Sequence, residues 1–116
     1  GSWLLPRIIG MSRASELLYT GNVIKAEQAC EWGLVSKVVP HDTLMDEAMS
    51  LAQSIAKQPP QALRVTKQLL KQGTQSTYDA IMEMSAASQG LMHHTKDHEE
   101  GVAAILEKRE PVFTGE

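Results

Sequence analysis

The residues of this 116-residue chain that could do chemistry are few and scattered. Three of its four histidines, His93, His94 and His98, lie close together. His94 and His98 are four apart, so on a helix they share a face, as metal-ligating pairs do. No cysteine stands near them and no convincing third ligand completes a set, and a solvated polar stretch ahead of a helix is the better account of them. We expect no metal. Cys30 is the single cysteine, so no internal disulfide and no CxxC pair can form. It sits where a small apolar residue would pack, and a buried thiol is inert.

Acid–base catalysis needs a carboxylate in a low-polarity pocket, where its pKa rises. Glu16, Glu27, Glu31, Glu47 and Glu83 fall on the polar sides of the expected helices, and Glu99, Glu100, Glu107 and Glu110 cluster with Lys108 and Arg109. These read as solvated faces and capping groups. Gly10, Gly21 and Gly33 are isolated turn glycines, not a phosphate-cradling loop. The residues therefore offer no catalytic group.

The elements that carry these side chains are mostly helices. Trp3 to Ile9 is apolar around Pro6 and predicts a short helix or turn ended by Gly10. Ser12 can cap the next helix, which turns Ala14, Leu17 and Leu18 inward and stops at Tyr19-Thr20-Gly21-Asn22. Ala26 to Trp32 predicts a short helix ended by Gly33. Leu34 to Val39 alternates β-branched residues and predicts a strand closed by Pro40.

Thr43 can cap a helix with Leu44, Ala48, Leu51, Ala52 and Ile55 on one face. Pro59-Pro60 breaks it and opens another helix, with Leu63, Thr66, Leu69 and Leu70 on its face and its end at Gly73. Ser76 can cap a third that turns Tyr78, Ile81, Met82 and Ser85 inward and is interrupted at Gly90. In the last helix, Asp97 and Glu100 have capping-box spacing. Val102, Ile105 and Leu106 follow as its apolar stripe, and Pro111 ends it.

Composition narrows the classes. Hydrophobic residues make up 42% and charged residues 22%, with a net charge of −3, so there is no basic stripe to bind nucleic acid or an anionic membrane. No apolar run reaches the length of a membrane span and no secretory leader is visible. One cysteine fits a reducing compartment, and cytoplasm is the expectation. The stripes can pack as a small bundle. The Trp3 to Leu18 segment is apolar on too many sides for a free end, which suggests a piece of a larger protein or a surface covered by a second copy.

Segments in order along the chain resemble the C-terminal part of the enoyl-CoA hydratase/isomerase, or crotonase, family. They are Trp3-Leu4-Leu5-Pro6-Arg7-Ile8-Ile9-Gly10, then Ala14 to Gly21, then the Ala-x-x-Ala-x-x-x-Gly-Leu-Val pattern from Ala26, then Pro59-Pro60 with Lys67. The tail from Glu100 to Gly115 completes the match as Glu-Gly-x-x-Ala-x-x-Glu-Lys-Arg-x-Pro-x-Phe-x-Gly.

The resemblance implies a mainly α fold, the helical end of the crotonase fold with at most one short strand and without the spiral ββα core. Residues 1–40 would close the core region, as helices plus one short strand, and 41–116 would form a helical trimerisation region. It implies an acyl-CoA substrate, with coenzyme A entering only as part of it and no other cofactor, and a homo-oligomer, trimer or hexamer. Family members stabilise a thioester enolate with two backbone N–H groups and move protons with one or two glutamates. Those positions would precede Gly1, so no catalytic residue maps onto this chain, which is expected to be inactive alone.

Lys108 matches a lysine that in relatives reaches the CoA nucleotide, while a place beside Glu107 or at the helix dipole is its other reading. Trp3 and Leu4 would line or back the acyl pocket, or pack as core. Ser88 to Leu91 holds no aromatic residue to meet an adenine. The rival readings are a non-catalytic helical oligomerisation or partner-binding module, and a crotonase-family isomerase or thioester hydrolase.

Overall fold

The computed structural model describes residues 1–116 as seven α-helices and no β-strand. The chain divides into two compact units, Gly1–Glu47 and Ala48–Glu116.

The first unit opens with α1 (Leu5–Ile9) and α2 (Met11–Thr20). Gly10 joins them at φ 85°, a conformation that an L side chain resists. Gly10 also occupies the N-cap position of α2 and no side chain caps it, so Ser12 falls inside the first turn instead of capping it. Ile9 and Ala14 are buried, whereas Leu18 stays half exposed. Gly21, left-handed at φ 67°, closes α2 through its N–H to the Leu17 carbonyl.

α3 (Ala26–Glu31) follows with Ala29 buried. The guanidinium of Arg13 lies 5.0 Å from the Trp32 ring centre.

The strand expected over Leu34 to Val39 does not form. Gly33 turns the chain at φ 74°, and the N–H groups of Leu34 and Val35 both donate to the Ala29 carbonyl, finishing α3. β-branched alternation needs a neighbouring strand to take up its backbone groups, and this unit supplies none. A 3₁₀ turn, His41–Thr43, leads into α4 (Leu44–Ala56). Thr43 closes that turn by donating to the Pro40 carbonyl and so does not cap α4.

The second unit holds the rest of α4, then α5 (Pro60–Gly73), α6 (Tyr78–Met92) and α7 (Lys96–Glu107). Pro60 starts α5 at a position where its missing N–H loses no bond. α5 and α6 pack together so closely that a Cβ added at Gly73 would meet Ile81 Cγ1 at 3.7 Å. Thr77, one residue beyond the expected Ser76, caps α6 by accepting from the Ala80 N–H. Gly90 does not interrupt α6, which continues to Met92; the space beside it is open.

Apolar stripes exist at the expected spacing, but most are uncovered. Leu51 is 61% exposed, Leu70 70%, Tyr78 75%, and Ile105 and Leu106 78% each. The buried apolar residues are Ile9, Ala14, Ala29 and Ala104, three of them alanines.

Two glycines of the second unit should respond oppositely to alanine. Gly115 is left-handed at φ 82°, so Gly115→Ala should destabilise by about 1–2 kcal/mol. Gly90→Ala, in an open helical position, should stabilise by about 0.5–1 kcal/mol. Urea midpoints followed by helical circular dichroism check this, and shifts in the same direction would contradict the backbone assignment.

Candidate functional site

The densest polar network lies where α7 ends and the chain turns back along it. Thr95 caps α7 by accepting from the His98 N–H, which leaves Asp97 inside the first turn. The expected Asp97–Glu100 capping box is therefore absent, and both carboxylates hold the tail instead. Asp97, 3% exposed, accepts the Thr114 N–H at 2.7 Å and the Gly115 N–H at 3.0 and 3.2 Å. The Asp97 N–H donates to the Glu116 carbonyl, and Lys96 pairs with the Glu116 carboxylate. Gln61 of α5 donates to the Gly115 carbonyl at 2.7 Å.

Glu100 takes the Arg109 guanidinium with both oxygens, at 2.6 and 2.8 Å, and the Val112 N–H at 2.8 Å. Arg109 also reaches Glu107 at 2.6 Å. The Arg109 hydrogen bond, then the Val112 N–H, hold the Glu100 carboxyl far below its ordinary value of 4.5, at about 2. The same pairs raise the Arg109 guanidinium, through Glu100 first and Glu107 second. Phe113 lies over Gly101, where a Cβ would meet the ring at 3.7 Å.

Lys108, not Pro111, ends α7. It is left-handed at φ 56° and ψ 41°, the only non-glycine residue of the chain with positive φ. The Arg109 N–H behind it closes onto the Ala104 carbonyl at 3.0 Å. Lys108 makes no ion pair, and Glu107 beside it pairs with Arg109.

Beside this network runs a groove of about 760 Å³, walled by Pro59, Pro60, Val102, Ile105, Val112 and Phe113 among others. Of the polar side chains on its wall, Asp97 and Arg109 are engaged in this clasp on the tail, whereas those of Lys57, Gln58, His98 and Glu110 are not. No serine, threonine, cysteine or tyrosine lines it.

His98, also on the groove wall, stacks its ring on His93 at 4.5 Å instead of pairing with His94, which precedes α7. No three His, Cys, Asp or Glu side chains gather as metal ligands. Cys30 is a half-buried free thiol in the first unit.

Trp3 and Leu4 stand at the start of the first unit, 44% and 59% exposed. Arg7 covers one face of the Trp3 ring at 4.1 Å and donates to the Trp3 carbonyl. No helix is long and apolar enough to cross a membrane.

The arrangement of the tail gives a physical role to the residues that carried the resemblance, and comparison with known proteins agrees. The family model for enoyl-CoA hydratase/isomerase matches residues 1–116. The chain belongs to this family.

It is 43% identical over 115 residues to the 1,2-epoxyphenylacetyl-CoA isomerase of Escherichia coli K12, covering 99% of this chain and 44% of the relative. It is 39% identical to the crotonyl-CoA hydratase of Syntrophomonas wolfei, covering 97% and 44%. The crystal structure of enoyl-CoA hydratase from Bacillus anthracis superposes with a TM-score of 0.93 at 41% identity, covering 98% of this chain and 44% of that one. The chain thus spans about 44% of the length of these relatives. The strand-free helical architecture is the helical part of the crotonase fold.

Asp97→Ala tests the clasp. It leaves the Thr114 and Gly115 N–H groups without an acceptor, which should destabilise the docked tail by about 1–3 kcal/mol. Amide exchange at both positions should accelerate while Ala80, capped by Thr77, stays unchanged. Unchanged exchange at Thr114 and Gly115 would contradict the assignment.

Proposed function

We propose that this chain is the C-terminal helical part of an acyl-CoA hydratase or isomerase acting on 2-enoyl-CoA thioesters in the breakdown of fatty or related acids. Family membership over the whole chain supports the reading, together with a span of less than half of each relative's length. The observation that carries the inactive-alone part is the site itself. Its Asp97 and Glu100 carboxylates are spent on the tail's own N–H groups and on Arg109, which supports a structural role for both instead of proton transfer to a substrate.

In the whole enzyme, water adds across the C2–C3 double bond through an enolate, which donors outside this chain stabilise. Lys108 is the residue of this chain proposed to meet the substrate, through a phosphate of the CoA nucleotide. Its ammonium has no internal partner, and it stands at a backbone position that natural chains normally give to glycine or asparagine. Trp3 and Leu4, both partly exposed, are proposed to back the acyl end of the pocket.

The uncovered stripes of α4 to α7 favour a homo-oligomeric assembly, trimer or hexamer, and the single cysteine fits the reducing cytoplasm. The stripes equally support the second reading, a purely associating helical module. Size-exclusion with light scattering on the isolated chain should show association or aggregation; a monodisperse monomer would contradict an uncovered partner surface.

Incubated with crotonyl-CoA, the 116-residue chain should leave the conjugated-thioester absorbance unchanged. Clear turnover would overturn the proposal that the reacting groups lie elsewhere.

A further inference from the structure

We propose that Arg109 is a positioning residue for Lys108. Its guanidinium, locked onto Glu100 and Glu107, holds the lysine in a left-handed conformation that aims a free cation at the substrate's nucleotide. The inference rests on the reading of Lys108 as the phosphate contact and adds how that contact is held.

Adjacent cations at a helix C-terminus would ordinarily both be candidates for an anion. The structure separates them. Arg109 spends its donors internally, on two oxygens of Glu100, one of Glu107 and the Glu110 carbonyl. Lys108 spends none.

A lysine at φ 56° is strained relative to glycine, and such a conformation persists only where its surroundings over-determine it. The surroundings here are the residues on either side. Before it, the last turn of α7 ends with the Lys108 N–H on the Ile105 carbonyl. After it, Arg109 is fixed through its backbone N–H to Ala104 and through its side chain to the helix. With both flanks pinned, the direction in which the Lys108 Cα–Cβ bond leaves the backbone is set before any ligand arrives. Such preorganisation lowers the ordering cost of binding. The bidentate fork explains why arginine serves here, since a lysine cannot grip both Glu100 oxygens and Glu107 at once.

The test is made in the whole enzyme with two substrates, crotonyl-CoA and the crotonyl thioester of N-acetylcysteamine, which has no nucleotide. Lys108→Ala should raise KM for crotonyl-CoA about tenfold, the worth of one charge-assisted hydrogen bond, with kcat and the short thioester unaffected. Arg109→Met should reproduce that KM-only, CoA-only effect, and the double variant should be no worse than Lys108→Ala alone. Arg109→Lys should not rescue. Glu100→Gln loosens the same pair with little change in volume and should give the same signature if Arg109→Met fails to fold.

A normal KM for Arg109→Met beside a raised KM for Lys108→Ala would overturn the positioning role and leave the lysine contact standing. Additive effects would mean that Arg109 itself meets the nucleotide, and equal losses with both substrates would mean a structural role only; either overturns the proposal. No effect of Lys108→Ala would instead overturn the reading beneath it.

Discussion

Asp97 and Glu100, one turn apart on α7, bind the chain that comes back past them. Each accepts backbone N–H groups that a returning, strand-free tail would otherwise leave unpaired: Thr114 and Gly115 at Asp97, Val112 at Glu100. Much of the local structure follows from this. Phe113 comes down on Gly101, where a side chain would crowd the ring. Gly115 turns left-handed against Pro60. Arg109 is drawn across Glu100, and Lys108 is left at the helix end with its charge free. The tail pattern of the family is thus one interaction set: acceptors on the helix, donors and a ring on the returning strand of chain, and small residues where the two approach.

The clasp stands in contrast with the rest of the apolar surface. Burying a leucine or isoleucine side chain contributes about 1.5–3 kcal/mol, and most such side chains here remain in contact with solvent. Helices with a clean period and no cover have faces shaped for another surface. Polar contacts within the chain define its local geometry, while its hydrophobic faces look outward.

Helices were legible in the sequence wherever period and punctuation agreed. Pro59-Pro60 opened α5, Gly10 and Gly21 bounded α2, and the stripe of α4 lay at its expected spacing. Helix starts were less so. Ser76 and Thr77 are neighbours with similar capping chemistry, as are Thr95 and Asp97 two residues apart, and local preference does not choose between them. Leu34 to Val39 failed because alternation of β-branched residues describes a surface that fits a sheet, and no strand lies beside it.

The clasp itself was not legible, since Asp97 and Gly115 are 18 residues apart and meet only once the tail has turned back. Capping-box spacing pointed to the right two carboxylates but gave them the wrong partners. Lys108 was singled out through family resemblance alone. Nothing in its local sequence announces a left-handed backbone, which Gly or Asn would have signalled.

The clasp is tested most directly by titrating the Glu100 side-chain carboxyl by carbon-detected NMR. A depressed folded pKa means that the interaction stabilises fully above the ordinary value of 4.5 and is lost as pH falls toward about 2. The account predicts a Glu100 midpoint near 2, with the Val112 amide shift moving in step. A midpoint near 4.5, with Val112 indifferent to it, would contradict the account.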